Sequence, residues 1–102
     1  MAVMRELTEK NFDDVVATGT VLVDFWAPWC SYCRVLGNVI EQALPSAPES
    51  AVVLKVNIDD HPELAARFNV TTIPTLVLYK DGKNLASYGM VSKAKIIEML
   101  CS

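Results

Sequence analysis

Cys30 and Cys33, in Trp29-Cys30-Ser31-Tyr32-Cys33, follow directly on the apolar run Val21-Leu22-Val23-Asp24-Phe25-Trp26. A Cys-x-x-Cys pair at the exit of a strand, where a helical pattern begins, is suited to dithiol/disulfide exchange. Three-residue spacing puts both sulfurs on one side of a helical turn, so they can close a short disulfide or open into two thiols. The free N–H groups and the positive dipole end of the helix favour a thiolate at Cys30, which is expected to attack, while Cys33, one turn further in, is expected to resolve. Other chemistries lack residues. A structural zinc site needs four Cys or His ligands, and an iron–sulfur cluster meets the same shortage; the chain has three Cys and one His. Attachment of c-type haem needs His at position 34, which is Arg. A purely structural bridge across so short a loop would remove little chain entropy.

The surrounding pattern predicts the elements that hold this pair. Val3 to Leu7 reads as a short edge strand, and Thr8 as the cap of a helix with Phe12, Val15 and Val16 inward, stopped by Gly19. Thr20 to Phe25 is apolar on both faces apart from Asp24, hence a central strand. The helix opening at the cysteines carries the stripe Val35, Leu36, Val39, Ile40, Ala43 and Leu44 and ends at Pro45 and Pro48. Ala51 to Ile58 is a further strand. Asp59, Asp60 and Pro62 open a short helix bearing Leu64 and Phe68. Thr75 to Tyr79 and Asn84 to Tyr88 form a hairpin around Lys80-Asp81-Gly82-Lys83. Ser92 caps a last helix with Ile96, Ile97, Leu100 and Cys101 inward. The order β-α-β-α-β-α-β-β-α demands parallel strands with crossover helices, then an antiparallel edge.

Length and composition bound the rest. The 102 residues suffice for one domain, expected over 1–102, and a 52% hydrophobic content can fill its core. Nine basic and twelve acidic residues give a net charge of −3 with no basic cluster, so nucleic-acid binding has no electrostatic footprint. No run reaches membrane-spanning length and none resembles a secretory signal, so the chain is expected to be cytoplasmic, away from membranes and monomeric. In that compartment a cysteine pair is more often catalytic than structural.

Over nearly its full length the chain resembles the thioredoxin family. The carrying stretches are Val21 to Cys33, Lys55-Val56-Asn57-Ile58-Asp59, Ile73-Pro74-Thr75-Leu76, Lys80-Asp81-Gly82 and Tyr88-Gly89. The resemblance implies an α/β thioredoxin fold, a five-stranded mixed sheet flanked by four α-helices, and protein-disulfide reductase activity. It implies no bound cofactor, with electrons from a thioredoxin reductase or an equivalent donor and disulfide-containing proteins as substrates. Asp24 matches the family aspartate that takes the resolving cysteine's proton; burial among apolar neighbours would raise its pKa, whereas strand alternation alone allows a surface position. Lys55 matches the lysine that pairs with this acid, or is a strand-end lysine reaching water. Ile73-Pro74 resembles the family's cis-proline, whose turn exposes the Ile73 backbone to an extended substrate segment. Trp29 is expected beside the nucleophile as a lid and contact, Trp26 as an anchor beneath the site, Tyr32 as a partner contact or a hydroxyl near the sulfurs, and Gly89 as room for substrate. His61 reads as a surface residue, and Cys101 as a packed small hydrophobe or, failing that, a regulatory or dimerising thiol.

Two departures stand out. Ser31-Tyr32 replaces the family's usual Gly-Pro, and Gly37-Asn38 stands where many relatives have a helix-kinking proline. They leave open a disulfide oxidase or isomerase, or a glutathione-coupled enzyme, and more remotely a docking subunit that would not need its cysteines. A hydroxyl beside Cys30 can stabilise the thiolate, and loss of the stiff proline weakens the preference for the closed disulfide. One hydrogen bond to a charged group, about 1.5–3 kcal/mol, corresponds to roughly 30–60 mV. Equilibration with glutathione should therefore find a Ser31→Gly, Tyr32→Pro double variant more reducing than the parent by about that amount; an equal or higher potential in the variant refutes this account of the motif.

Overall fold

In the computed structural model, which describes Met1–Ser102, five strands form a single mixed sheet. The elements in chain order are β1 (Val3–Glu6), α1 (Phe12–Val15), β2 (Thr20–Trp26), α2 (Ser31–Ala43), β3 (Val52–Asn57), α3 (Pro62–Arg67), β4 (Thr75–Lys80), β5 (Lys83–Tyr88) and α4 (Lys93–Leu100). A 3₁₀ turn, Leu44–Ser46, holds Pro45 and finishes α2. The spatial order is β1-β3-β2-β4-β5. β2 pairs parallel with β3 and antiparallel with β4. This is the expected α/β mixed sheet with four helices. No helix is long and apolar enough to cross a membrane.

Alternation along β2 supplies both halves of the core. Leu22 joins Val53, Leu76 and Leu78 against Leu36, Ile40 and Ala43 of α2 and Ile96, Met99 and Leu100 of α4. Val21, Val23 and Phe25 face the other way with Leu54, Val56, Val77 and Tyr79, under Phe12 and Leu64. Phe12 and Phe68 meet edge to face at 5.4 Å between ring centres, and Phe25 lies equally close to Phe68. β2 is thus buried on both faces, which explains its nearly unbroken apolar sequence.

Four expectations need correction. α1 starts after Asn11, not Thr8: the Asn11 carbonyl takes the N–H groups of Asp14 and Val15, and no side chain caps the helix. Residues after β1 are first spent burying Leu7, whose N–H bonds the Lys55 carbonyl. Val35 is 52% exposed, because the buried stripe of α2 is narrower, at Cys33, Leu36, Ile40 and Ala43. In α4 the inward positions are Ile96, Met99 and Leu100; the helix stops there, and Cys101, at its C-cap, is exposed. His61 does precede α3, but it is buried, with Nε2 3.0 Å from the Leu7 carbonyl oxygen.

The hairpin is closed by Asp81 and Gly82, both at positive φ (50° and 82°), the backbone of a two-residue turn matched to strand twist. Asp81 also ties this turn to the one before β2: its carboxylate accepts the Gly19 N–H and its own N–H donates to the Gly19 carbonyl. A Cβ on Gly82 would stand 3.2 Å from the Ala17 carbonyl oxygen. Gly82→Ala should therefore cost about 1–2 kcal/mol in urea unfolding, whereas Gly37→Ala, with nothing within 4 Å of the new methyl, should stabilise α2 by about 0.5–1 kcal/mol; equal effects at the two positions would refute this reading.

Candidate active site

β2 delivers the chain to the start of α2 through Ala27-Pro28-Trp29. Cys30 is the N-cap of α2, in an extended conformation, and its sulfur accepts the Cys33 N–H at 3.1 Å. One of the unpaired donors at the helix start is thereby satisfied by sulfur rather than by the usual Ser or Asp oxygen. The loop is held on both sides: the Cys30 N–H donates to the Ala27 carbonyl, and the Arg34 guanidinium reaches back to the Pro28 carbonyl at 2.8 Å. The cysteines form a disulfide, with Cα atoms 5.3 Å apart, and are buried together with Ala27. Trp26, Ile58 and Ile73 pack around them. Opposite lies the cis peptide bond Ile73–Pro74, with the Ile73 carbonyl oxygen 3.8 Å from Cys30 Sγ. A disulfide sulfur has no proton to give, so this is a contact here; in the dithiol the Cys30 S–H can donate across it.

Asp24 is 1% exposed, and neither carboxylate oxygen has a hydrogen-bond partner. Burial pushes its pKa from the ordinary 3.8 up to about 7; the Lys55 charge opposes this and the Glu6 charge adds to it. Lys55 is the register partner of Asp24 on β3, but no ion pair joins them. Its ammonium lies 4.1 Å from the centre of the Trp26 ring, a cation–π contact, so it neither closes on the acid nor simply runs out to water. The Trp26 indole N–H in turn donates to Glu6 at 3.1 Å. A cleft of about 230 Å³ opens beside these groups, lined by Trp26, Cys33, Arg34, Gly37, Asn38 and Lys55 among others.

The remaining expected residues divide. Trp29 is 67% exposed and its indole N–H bonds Asp59 at 3.1 Å, so it stands on the rim of the site instead of closing it. Asp59 carries no signal of this in the sequence beyond its turn, where the Asn57 side chain accepts its N–H. Tyr32 is 68% exposed. Antiparallel pairing of Leu76 with Tyr88 brings Gly89 alongside the start of β4, one residue from Pro74, with open space over its Cα. His61 and Cys101 lie apart from this cluster, on α3's N-terminus and α4's C-terminus. Sequence pattern did not single out Glu6, Arg34 or Asp59; strand register points to Glu6, which pairs with Lys55.

Comparison with known proteins agrees with the geometry. The thioredoxin family model matches residues 3–102. The chain is 41% identical over 98 residues to a thioredoxin of Chlamydia caviae, covering 95% of each chain. It is 38% identical over 101 residues to one of Staphylococcus haemolyticus, covering 98% of this chain and 96% of the relative. Among solved structures, a mutant thioredoxin from Halobacterium salinarum NRC-1 superposes with a TM-score of 0.80 at 28% identity, over 99% of this chain and 92% of that one. With a buried Cys-x-x-Cys disulfide at a helix N-cap, facing a cis-proline on the matching sheet, the chain belongs to the thioredoxin family and is a thiol–disulfide oxidoreductase of the reductase kind.

Proposed function

We propose that Cys30 is the attacking sulfur, Cys33 the resolving one, and Asp24 the acceptor of the Cys33 proton. The observation that carries the assignment is the N-cap position of Cys30, whose sulfur already accepts a helix N–H and would keep that bond as a thiolate. The Cys30 thiolate attacks one sulfur of a substrate disulfide; a mixed disulfide forms and the first substrate thiolate leaves. The Cys33 thiol gives its proton to the Asp24 carboxylate and attacks the Cys30 sulfur. The Cys30–Cys33 bond forms, the mixed disulfide breaks, and the second thiolate leaves. Two electrons pass to the substrate, which takes up protons from water and from Asp24. With its pKa near neutrality, Asp24 can both accept that proton and release it. Lys55 modulates this acid through its charge.

The substrate is an extended segment of a disulfide-containing protein that pairs with the Ile73 backbone beside Pro74, passes over Gly89 and touches Trp29 and Tyr32. The exposure of both rings and the open space at Gly89 support that path. Electrons return from a thioredoxin reductase drawing on NADPH or another low-potential donor, and the chain carries no cofactor of its own. It works as a cytoplasmic monomer.

Two experiments test the assignment. Cys33→Ser should accumulate a mixed disulfide with substrate while Cys30→Ser traps almost none; trapping by the Cys30→Ser variant would reverse the roles. For Asp24, between about pH 4 and 7 the native state holds a proton that the unfolded chain has released, so stability falls as pH rises through that window. Raising the carboxyl from 3.8 to about 7 sets a ceiling of about 4 kcal/mol on the cost of burying it ionised. Asp24→Asn should thus slow exchange at pH 7 yet gain about 2–4 kcal/mol over the parent at pH 8, with the gap closing toward pH 4. An equal gap at both pH values in urea titrations would show that Asp24 is not a buried acid of raised pKa.

A further inference from the structure

Glu6, Lys55 and Asp24 stand side by side on three adjacent strands, since Lys55 is the register partner of Glu6 on β1 and of Asp24 on β2. Residues in register share a face, so one cation lies between an outer, exposed carboxylate and an inner, buried one. Trp26, two residues beyond Asp24, presents its ring to the same face. Its N–H is fixed by Glu6 at 3.1 Å, and its π-face receives the Lys55 ammonium at 4.1 Å. Lys55 makes no ion pair with either carboxylate. The indole thus meets Lys55 through its π-face and Glu6 through its N–H, while its ring also packs against Ala27, Cys30 and Cys33.

We propose that Glu6 is a positioning residue for disulfide exchange: it anchors Trp26, and so Lys55, and with its own charge tunes how readily the buried Asp24 carboxyl holds a proton. The proposal rests on the reading that Asp24 takes the Cys33 proton. Lys55 from β3 stands beside Asp24 in register and Glu6 from β1 one strand beyond, while Cys33, Arg34 and Glu41 of α2 line the neighbouring cleft with Lys55 and Trp26; the β4 partner of Asp24 is Leu76, which is uncharged. Glu6 and Glu41 carry the negative charges among these. Glu6 is the one built into the indole contact, and its charge acts on Asp24 in the direction of proton retention. Two strand spacings, about 9.6 Å, separate the Glu6 and Asp24 backbones, and like charges about that far apart at an intermediate effective dielectric shift a midpoint by about half a unit to one unit.

The test is a pH titration of the Asp24 carboxyl carbon by NMR in the oxidised protein, for the parent, Glu6→Gln and Glu6→Lys. Glutamine keeps an oxygen for the Trp26 N–H and removes only the charge. It should lower the midpoint by about half a unit to one unit, and lysine by about twice as much. In about 1 M salt the gap between the parent and Glu6→Gln should shrink, because Glu6 is exposed. The pH profile of Cys33-dependent resolution of a mixed disulfide should move by the same amount. A Glu6→Gln midpoint within about 0.1 unit of the parent, or equal shifts from glutamine and lysine, overturns the proposal and leaves the role of Asp24 intact. A midpoint that moves while the rate profile stays put overturns the role of Asp24 in exchange, and with it the catalytic part of the proposal.

Discussion

β2 has no face of its own in water, and everything at the site follows from that burial. A strand covered on both sides ends by leading its chain out at the sheet's carboxyl edge, where α2 must begin in order to cover it. The junction therefore sets a helix N-terminus, with its unpaired N–H groups, directly over the strongest hydrophobic element in the molecule. Sulfur is a tolerable group to bury there, because Cys30 and Cys33 behave as small hydrophobes when joined and as acids when parted.

The same burial makes Asp24 informative. A carboxyl in the central strand without a hydrogen-bond donor is held neutral by its surroundings until the pH approaches 7. Fold stability and proton chemistry are opposed at this residue, an arrangement expected where function overrides packing. Lys55 relieves the conflict only in part, since its ammonium is committed to the Trp26 ring. The exposed Glu6 thus bears on the buried acid in two ways, by its charge and by its hold on the Trp26 indole that receives Lys55.

Much of this was legible in the chain because the pattern of hydrophobicity changes at the functional residues. The nearly unbroken apolar run of β2 gives way to a 3.6-residue stripe after Cys30, and the hairpin is announced by Asp81-Gly82, whose backbone needs positive φ. What periodicity leaves out is where an element stops and how wide its buried stripe is. Val35 and Cys101 continue their stripes on paper, but one lies at the margin of the helix–sheet contact and the other past the last turn. Likewise His61 carries polarity suited to a surface, and only the fold brings the Leu7 carbonyl to its ring nitrogen. Resemblance supplied the cis bond before Pro74, which no local pattern announces. The Glu6–Trp26–Lys55 contacts need strand register, and register is fixed by the whole sheet rather than by any one segment.

The exposed position of Cys101 gives the molecule an internal standard. With Cys30 and Cys33 joined, one of the three cysteines remains free, and it lies on the surface at the far end of α4. A thiol-directed label applied to the oxidised chain marks one site of known location, and on the reduced chain the count rises toward three. The ratio reports the oxidation state of a population without reference to its concentration, because each polypeptide carries its own denominator.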